Sequence, residues 1–218
     1  MGFEGGRVAS DLGENLFICT NISADCEGNI TIGNPQTCTI GNVLVEQQVI
    51  GNNVYVVWED NTNEGSIDIF FTVSNDNGQT FSSPENLSNT PLTSFKPKIS
   101  TDGNNVYVVW EETQENTFVS DIFFSVSNDN GQTFSNPINL SDNIGNSLRA
   151  QILTEGNNVY VVWMDNTPDT TPSEFEIFFS VSNDNGQTFS SPENLSDSEG
   201  IDPDERGSNN PQITSSIS

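Results

Sequence analysis

An acidic residue occurs two positions after each of the three tryptophans of the chain, and these acids are Asp60, Glu112 and Asp165. Paired carboxylates about 5–9 Å apart can hydrolyse glycosidic bonds, and carboxylate oxygens are the ligands that Ca²⁺ prefers. One interpretation is a rim that binds a cation or a cation-bridged glycan. The other is a set of charges at strand ends that keep the protein soluble, and the sequence leaves both open.

A second acidic feature is the segment 197–206, which is the longest connection between two repeats and is dense in carboxylates. The tryptophans themselves, Trp58, Trp110 and Trp163, could stack on sugars. Because they continue an apolar strand, we expect them in the core instead.

The composition excludes several classes of function. The 218 residues include 31 Asp and Glu but 5 Lys and Arg, for a net charge of -26, so a nucleic-acid backbone or an anionic membrane would be repelled. There is no histidine, which removes the commonest general base and metal ligand. No apolar run has the roughly 20 residues of a membrane span.

The elements that position these acids are repeated. Gly-Asn-Asn-Val-Tyr-Val-Val-Trp begins at Gly51, Gly103 and Gly156, at spacings of 52 and 53 residues. In the middle copy, four strands follow one another, which we call A to D. Strand A is predicted over 97–100. Strand B, at 106–110, is apolar on both faces, so it must be covered on both sides. Strand C spans 121–126, and strand D is predicted over 132–140.

Prolines indicate the order of the strands, because a central strand needs every N–H as a donor. Within the predicted strands of the repeats, prolines occur in A and D but not in B or C, at Pro84, Pro97, Pro137, Pro192 and Pro211. Strands B and C are therefore central in a four-stranded antiparallel meander. Such a unit of about 50 residues, apolar on both faces, is typical of a β-propeller blade. The fold class predicted is all-β, a partial or open propeller.

Three copies of Ser-Asn-Asp-Asn-Gly-Gln-Thr-Phe lie between strands C and D. This octet resembles the Asp-box, or BNR repeat, of the sialidase-like β-propellers, over roughly residues 43 to 218. The resemblance implies a structural turn, on the face away from the active site, in which the aspartate accepts backbone N–H bonds and the phenylalanine packs between blades. A Ca²⁺ site in the same loops is the rival interpretation, and the metal content stays unknown. The residues are Ser74, Asp76, Gly78, Thr80, Phe81, Ser127, Asp129, Gly131, Thr133, Phe134, Ser182, Asp184, Gly186, Thr188 and Phe189.

The catalytic set of sialidases is not visible in the sequence. That family uses three arginines, a Tyr–Glu nucleophile and an aspartate, whereas Arg7, Arg149 and Arg206 share no repeat position. The tyrosines occupy one equivalent point of strand B, which indicates packing; they are Tyr55, Tyr107 and Tyr160. The main prediction is therefore a non-catalytic extracellular propeller segment for glycan binding, adhesion or surface architecture. The alternative is part of an exo-α-sialidase-like glycoside hydrolase whose catalytic residues lie outside this segment.

The predicted blades span residues 43–87, 96–140 and 149–195, with a strand of a fourth blade at 210–217. Closure of such an arc requires either further blades of a longer chain or self-association. Residues 1–42 form a separate segment, in which the stretch from Cys26 to Ile40, with its Cys-x-Gly-x-Ile and Cys-Thr-Ile sequences, resembles the closing hairpin of Ig-like modules in surface proteins. That resemblance implies a Cys26–Cys38 disulfide; the alternative is three unpaired thiols.

Export is predicted from five Asn-x-Ser/Thr sequences, at Asn21, Asn29, Asn86, Asn139 and Asn194. The last three recur in one Asn-Leu-Ser per repeat, so copying explains them equally well. The expected location is extracellular or at the cell surface, and the expected partners are a glycan or a cell-surface protein.

Overall fold

The computed structural model describes the backbone at residues 22–24, 30–32, 36–40, 43–61, 66–113, 117, 119–166, 175–196 and 210–214, and the side chains from Gln48 onward. These residues contain strands and turns but no helix, and hence no helix that could cross a membrane. The strands are β1 (Ile22–Ala24), β2 (Ile30–Ile32), β3 (Gln36–Ile40), β4 (Val43–Ile50), β5 (Asn53–Asn61), β6 (Ile67–Ser74), β7 (Glu85–Asn86), β8 (Ser94–Asp102), β9 (Asn105–Thr113), β10 (Ser120–Ser127), β11 (Ile138–Asn139), β12 (Ser147–Glu155), β13 (Asn158–Asp165), β14 (Glu176–Ser182) and β15 (Glu193–Asn194).

Three antiparallel meanders form the blades: β4–β7 is blade 1, β8–β11 is blade 2 and β12–β15 is blade 3. In each, strands B and C are central and strand D is an edge, which confirms the predicted all-β blades. The predicted strand D is too long, since only two residues pair with strand C in each blade. Pro84, Pro137 and Pro192 directly precede these pairs and lack the N–H that a longer ladder would need.

Blade 1 differs from the prediction at its first edge. Strand β3 pairs antiparallel with β4, from Gln36 opposite Gln47 to Ile40 opposite Val43, which gives this sheet five strands. The pairing crosses the predicted domain boundary at residue 43. Cys38 belongs to β3, whereas Cys19 and Cys26 lie outside the described residues, as does any disulfide.

Strand A is bulged in blades 2 and 3, where the register shifts between Phe95 and Lys98 and between Leu148 and Gln151. At the bulge, Lys96 has φ +52° and Arg149 has φ +57°. These are left-handed angles that residues other than glycine rarely adopt. Such bulges redirect a strand and add twist, and neither bulge was predicted.

The core lies between blades. Strand β5 turns Tyr55 and Val57 toward blade 2, where they meet Val106, Val108 and Trp110. The opposite face of β9 packs on blade 3 in the same manner, through Tyr107 and Val109. Both faces of the middle blade are therefore buried, and the two-sided apolar pattern of strand B has this cause.

Candidate functional site

The three Asp-box turns have the same internal bonding. In blade 2, Asp129 Oδ1 accepts hydrogen bonds from the backbone N–H of Gln132 and of Thr133, both at 2.9 Å, and from Ser127 Oγ at 2.7 Å. Its Oδ2 accepts from Thr133 Oγ1 at 2.6 Å. These donors, the Thr133 hydroxyl first, lower the pKa of Asp129 to about 2.

The same donor set surrounds Asp76 and Asp184, and the pKa of each is likewise lowered to about 2. Hydrogen-bond donors thus occupy the lone pairs that a Ca²⁺ ion would need. Among the described residues, no three acidic or cysteine side chains come together as a metal site. The bonding favours a structural role for the box over a cation site.

In blades 2 and 3, the glycine and the phenylalanine of the box contact the preceding blade. A Cβ at Gly131 would lie 2.7 Å from the Phe71 ring, and Phe134 contacts the same ring edge-on at 4.7 Å between centroids. Gly186 and Phe189 contact Phe124 in the same way. Only a residue without a side chain fits against that ring, so the box also joins neighbouring blades.

A polar cleft of about 510 Å³ lies at this end, between the turns of blades 2 and 3. It contains one carboxylate, from Asp102, and no aromatic platform for a sugar. Its lining consists of turn residues, namely Asp102, Gly103, Asn104, Asn105, Asn128, Gly156, Asn157 and Asn185.

The opposite end of the blades holds the acids predicted to form a rim, and the structure does not make them equivalent. Glu112 is 2% exposed and accepts hydrogen bonds from Trp110 Nε1 at 3.3 Å and from Ser94 Oγ at 2.9 Å. Burial raises its pKa, and these two bonds oppose the rise.

Asp165 is also buried and accepts from the indole of Trp163 and the hydroxyl of Ser147. Asp60, in contrast, is exposed. The predicted rim of three equal acids is thus reduced to one accessible carboxylate and two buried acceptors that fix the tryptophan side chains. The acidic segment 197–206 lies outside the described residues.

A second row of acids at this end was missed in the sequence. Asp121, at the start of strand C, accepts from Asn139 Nδ2 at 3.0 Å and from Ser141 Oγ at 3.1 Å. Asp68 and Glu176 accept from the corresponding asparagines, Asn86 and Asn194. The repeated Asn-Leu-Ser was interpreted as a glycosylation sequence or as a copied part of the repeat. Its asparagine donates, through the atom that a glycan would modify, to the acid of strand C.

Glutamates of strand B connect adjacent blades. Glu59 Oε2 accepts from the backbone N–H of Lys96 at 3.0 Å, and Glu111 Oε1 accepts from that of Arg149 at 2.7 Å. We call these the interblade glutamate bonds. Each one holds the bulge of the next strand A, and Met164 replaces the glutamate in blade 3.

Glu111 is fully buried and also forms an ion pair with Lys96, at 3.0 Å between Nζ and Oε2. Burial raises the pKa of Glu111, while the Arg149 N–H and the Lys96 charge act in the opposite direction. Lys96 and Arg149 occupy the same position in successive repeats, at the bulge of strand A.

The residues considered for sialidase chemistry do not converge within the described chain. Tyr55 and Tyr107 are buried between blades, and Tyr160 is half-buried on blade 3. Arg149 is exposed on strand A. Arg7 and Arg206 lie outside the described residues.

Comparison with known proteins supplies a fold but no family. No family model and no curated protein matches the sequence. The solved structure of a Penicillium chrysogenum α-L-arabinanase complexed with arabinobiose matches 93% of this chain and 74% of its own, at 11% identity and a TM-score of 0.51.

Two further solved structures match with TM-scores below one half. A thermostable family-43 glycoside hydrolase has a TM-score of 0.43 at 16% identity, over 64% of this chain, which spans half (50%) of that enzyme's length. An α-L-arabinofuranosidase from Fusarium graminearum has a TM-score of 0.48 at 12% identity, over 80% of this chain and 64% of its own.

The arabinanase is a β-propeller glycoside hydrolase, and the match to it confirms the propeller fold. This match also corrects the main functional prediction. The propeller that this chain matches over most of its length is an enzyme, so the prediction of a non-catalytic segment is wrong as the leading interpretation. The prediction took the absence of a visible sialidase set as absence of catalysis, although other propellers hydrolyse glycans.

Proposed function

We propose that this chain is part of an exported glycoside hydrolase of the propeller fold, and that the Asp-boxes mark a sialidase-like architecture. The match to a propeller α-L-arabinanase over 93% of the chain carries the proposal. The repeated turns, with one saturated aspartate in each blade, support the narrower assignment. The substrate is then a glycan. The net charge of -26 does not repel a neutral glycan.

The reaction belongs at the end of the blades opposite the Asp-boxes. Hydrolysis of a glycoside needs two carboxyl groups with access to the substrate. Glu112 and Asp165 are buried and bonded to tryptophan and serine side chains, which leaves Asp60 as the accessible acid of the predicted rim. The segments 62–65, 114–116, 167–174 and 197–209 each contain further acids in the sequence, and we propose that the second carboxyl comes from one of them.

Hydrolysis of fluorogenic glycosides tests the proposal. The whole chain is assayed against an α-L-arabinofuranoside, a β-xyloside and a sialoside, together with Asp60→Asn and Glu155→Gln. Glu155 is an exposed acid at the Asp-box end and serves as the matched control. We expect turnover that falls by roughly a hundredfold or more in Asp60→Asn and is unchanged in Glu155→Gln.

A folded chain that cleaves no glycoside would contradict the proposal. If cleavage is found but Asp60→Asn retains it, the assignment of Asp60 is wrong while the enzyme class stands. Preferential cleavage of the sialoside would favour the sialidase-like assignment over an arabinan-degrading one.

A further inference from the structure

We propose that the outward face of blade 3 is a docking surface for one further blade of the same repeat, whose first strand is the segment 210–214 of this chain. This open face is defined by one row of apolar side chains on β13, β14 and the residue after β15, namely Tyr160, Ile177, Phe179, Val181 and Leu195. The inference is independent of the enzymatic function.

The open face repeats, residue for residue, the two faces that the structure shows covered. Leu87 is 7% exposed under blade 2 and Leu140 is 8% exposed under blade 3, whereas the equivalent Leu195 is 55% exposed. Phe71 and Phe124 are each 1% exposed, and the equivalent Phe179 is half-buried. The same side chains are therefore buried twice and uncovered once.

The platform that receives an Asp-box is already formed on the open face. Tyr160 and Phe179 stack with ring centroids 6.3 Å apart at 22°. Tyr55 with Phe71, and Tyr107 with Phe124, stack at 6.3 Å in the covered faces. On each covered platform lie the glycine and the phenylalanine of the following box. The occupant of the third platform must carry the same pair.

Residues 210–214 resemble the start of strand A in blade 2, although they pair with no strand within the described chain. Asn210 has φ +65°, which matches the bulge angles of Lys96 and Arg149, and the residues that follow repeat the register of blade 2. Pro211 is buried, like Pro97 at the equivalent position. These observations assign the occupant to the repeat that begins at residue 210 and not to a second copy, because this segment follows blade 3 in the chain and carries the sequence and the bulge angle of strand A.

A chain with an added blade tests the proposal. After Thr214, a copy of residues 101–140 replaces residues 215–218, which continues the register because Ser100 corresponds to Thr214. Amide hydrogen exchange is followed in β13 and β14, with light scattering in parallel. We expect exchange in β14 to slow at least tenfold relative to the original chain, and the extended protein to be monomeric.

The matched control is the same extension with the copied Gly131 changed to valine, whose side chain would overlap the Phe179 ring. It should leave β14 exchange as fast as in the original chain. The proposal is overturned if the extension and its control protect β14 equally or not at all. It is also overturned if the original chain is a dimer in which β14 is as protected as β10.

Two substitutions in the original chain give a second test that needs no extension. Leu195→Glu should leave the urea midpoint unchanged, because Leu195 is uncovered. Leu140→Glu, at the equivalent covered position, should lower the midpoint strongly. Equal losses would mean that the open face is already covered in the chain as it stands, and would overturn the proposal.

Discussion

At the residue scale, two box glycines have nearly equal backbone angles but different surroundings. Gly78 has φ +79° with its nearest neighbour 3.9 Å from a built Cβ, and Gly131 has φ +77° with a ring atom at 2.7 Å. Gly78→Ala should cost about 1 kcal/mol from the left-handed backbone alone. Gly131→Ala should cost about 1–3 kcal/mol more, because the methyl group meets the Phe71 ring. Urea unfolding measures the difference, and equal losses would contradict the contact.

The box aspartates predict an acid dependence of stability. Their folded-state pKa is about 2, below the ordinary value near 4 of an unfolded chain, so they stabilise the fold above about pH 4. That stabilisation is lost as the pH falls from about 4 to about 2. Asp129→Asn should be less stable than the original chain at pH 7, and the gap should close toward pH 2. A gap that stays constant with pH would contradict the bonding.

Because Glu111 is buried and Lys96 is not, we expect removal of the lysine to cost more stability than removal of the glutamate. Lys96→Met leaves a fully buried carboxylate without its cation and should cost about 3 kcal/mol at pH 7. The cost should shrink at lower pH, since burial already raises the pKa of Glu111 and its protonated form needs no cation. Glu111→Met removes the buried charge but leaves the Arg149 N–H without its acceptor, and should cost about 1 kcal/mol, equally at both pH values. Thermal unfolding at pH 7 and pH 4 tests both, and equal losses would contradict the argument.

At the scale of the element, strand D is short, and side chains attach its end to strand C. Asn139 donates to Asp121, so Asn139→Asp would place two carboxylates at hydrogen-bond distance. We expect a loss of about 1–3 kcal/mol at neutral pH. Asn136→Asp, an exposed change in the same segment, is the control and should be nearly neutral. Urea midpoints of the two variants give the comparison.

Strands B and C were predictable because their apolar residues fill both faces and no proline interrupts them. Strand D was predicted too long. The polar residues that follow the Asp-box are as common in turns as in an exposed edge strand, so the sequence does not show where the strand begins. The bulge at Lys96 and Arg149 was not predictable, since neither residue type favours a left-handed angle. The glutamate bonds from the preceding blade hold these bulges, and a contact between repeats leaves no local sequence signal.

At the scale of the whole molecule, charge dominates the response to ions. The net charge of -26 makes the folded chain repel itself, and salt screens that repulsion. Raising NaCl from about 0.02 to about 0.5 M should raise the urea midpoint. If the boxes bind no cation, CaCl₂ at equal ionic strength should raise the urea midpoint no further than NaCl does. A clear additional rise with Ca²⁺, reversed by a chelator, would contradict the structural role of the boxes.

The candidate site was only partly predictable, because the repeats are nearly identical in sequence but their acids differ in burial. Sequence repetition makes Asp60, Glu112 and Asp165 appear equivalent, whereas Asp60 is exposed and the other two are buried. In blades 2 and 3, a serine of strand A donates to the buried acid, namely Ser94 to Glu112 and Ser147 to Asp165. A bond from the partner strand leaves no signal next to the acid in the sequence.

The boundary between two neighbouring blades always combines a Tyr–Phe platform with the glycine and phenylalanine of the next box. An inserted repeat therefore carries both complementary surfaces within its own coding sequence. Unequal recombination between such near-identical segments can lengthen or shorten the array in one genetic event, and no compensating substitution elsewhere is required. The near-identical octets supply the matching contacts that such an added or removed repeat would need.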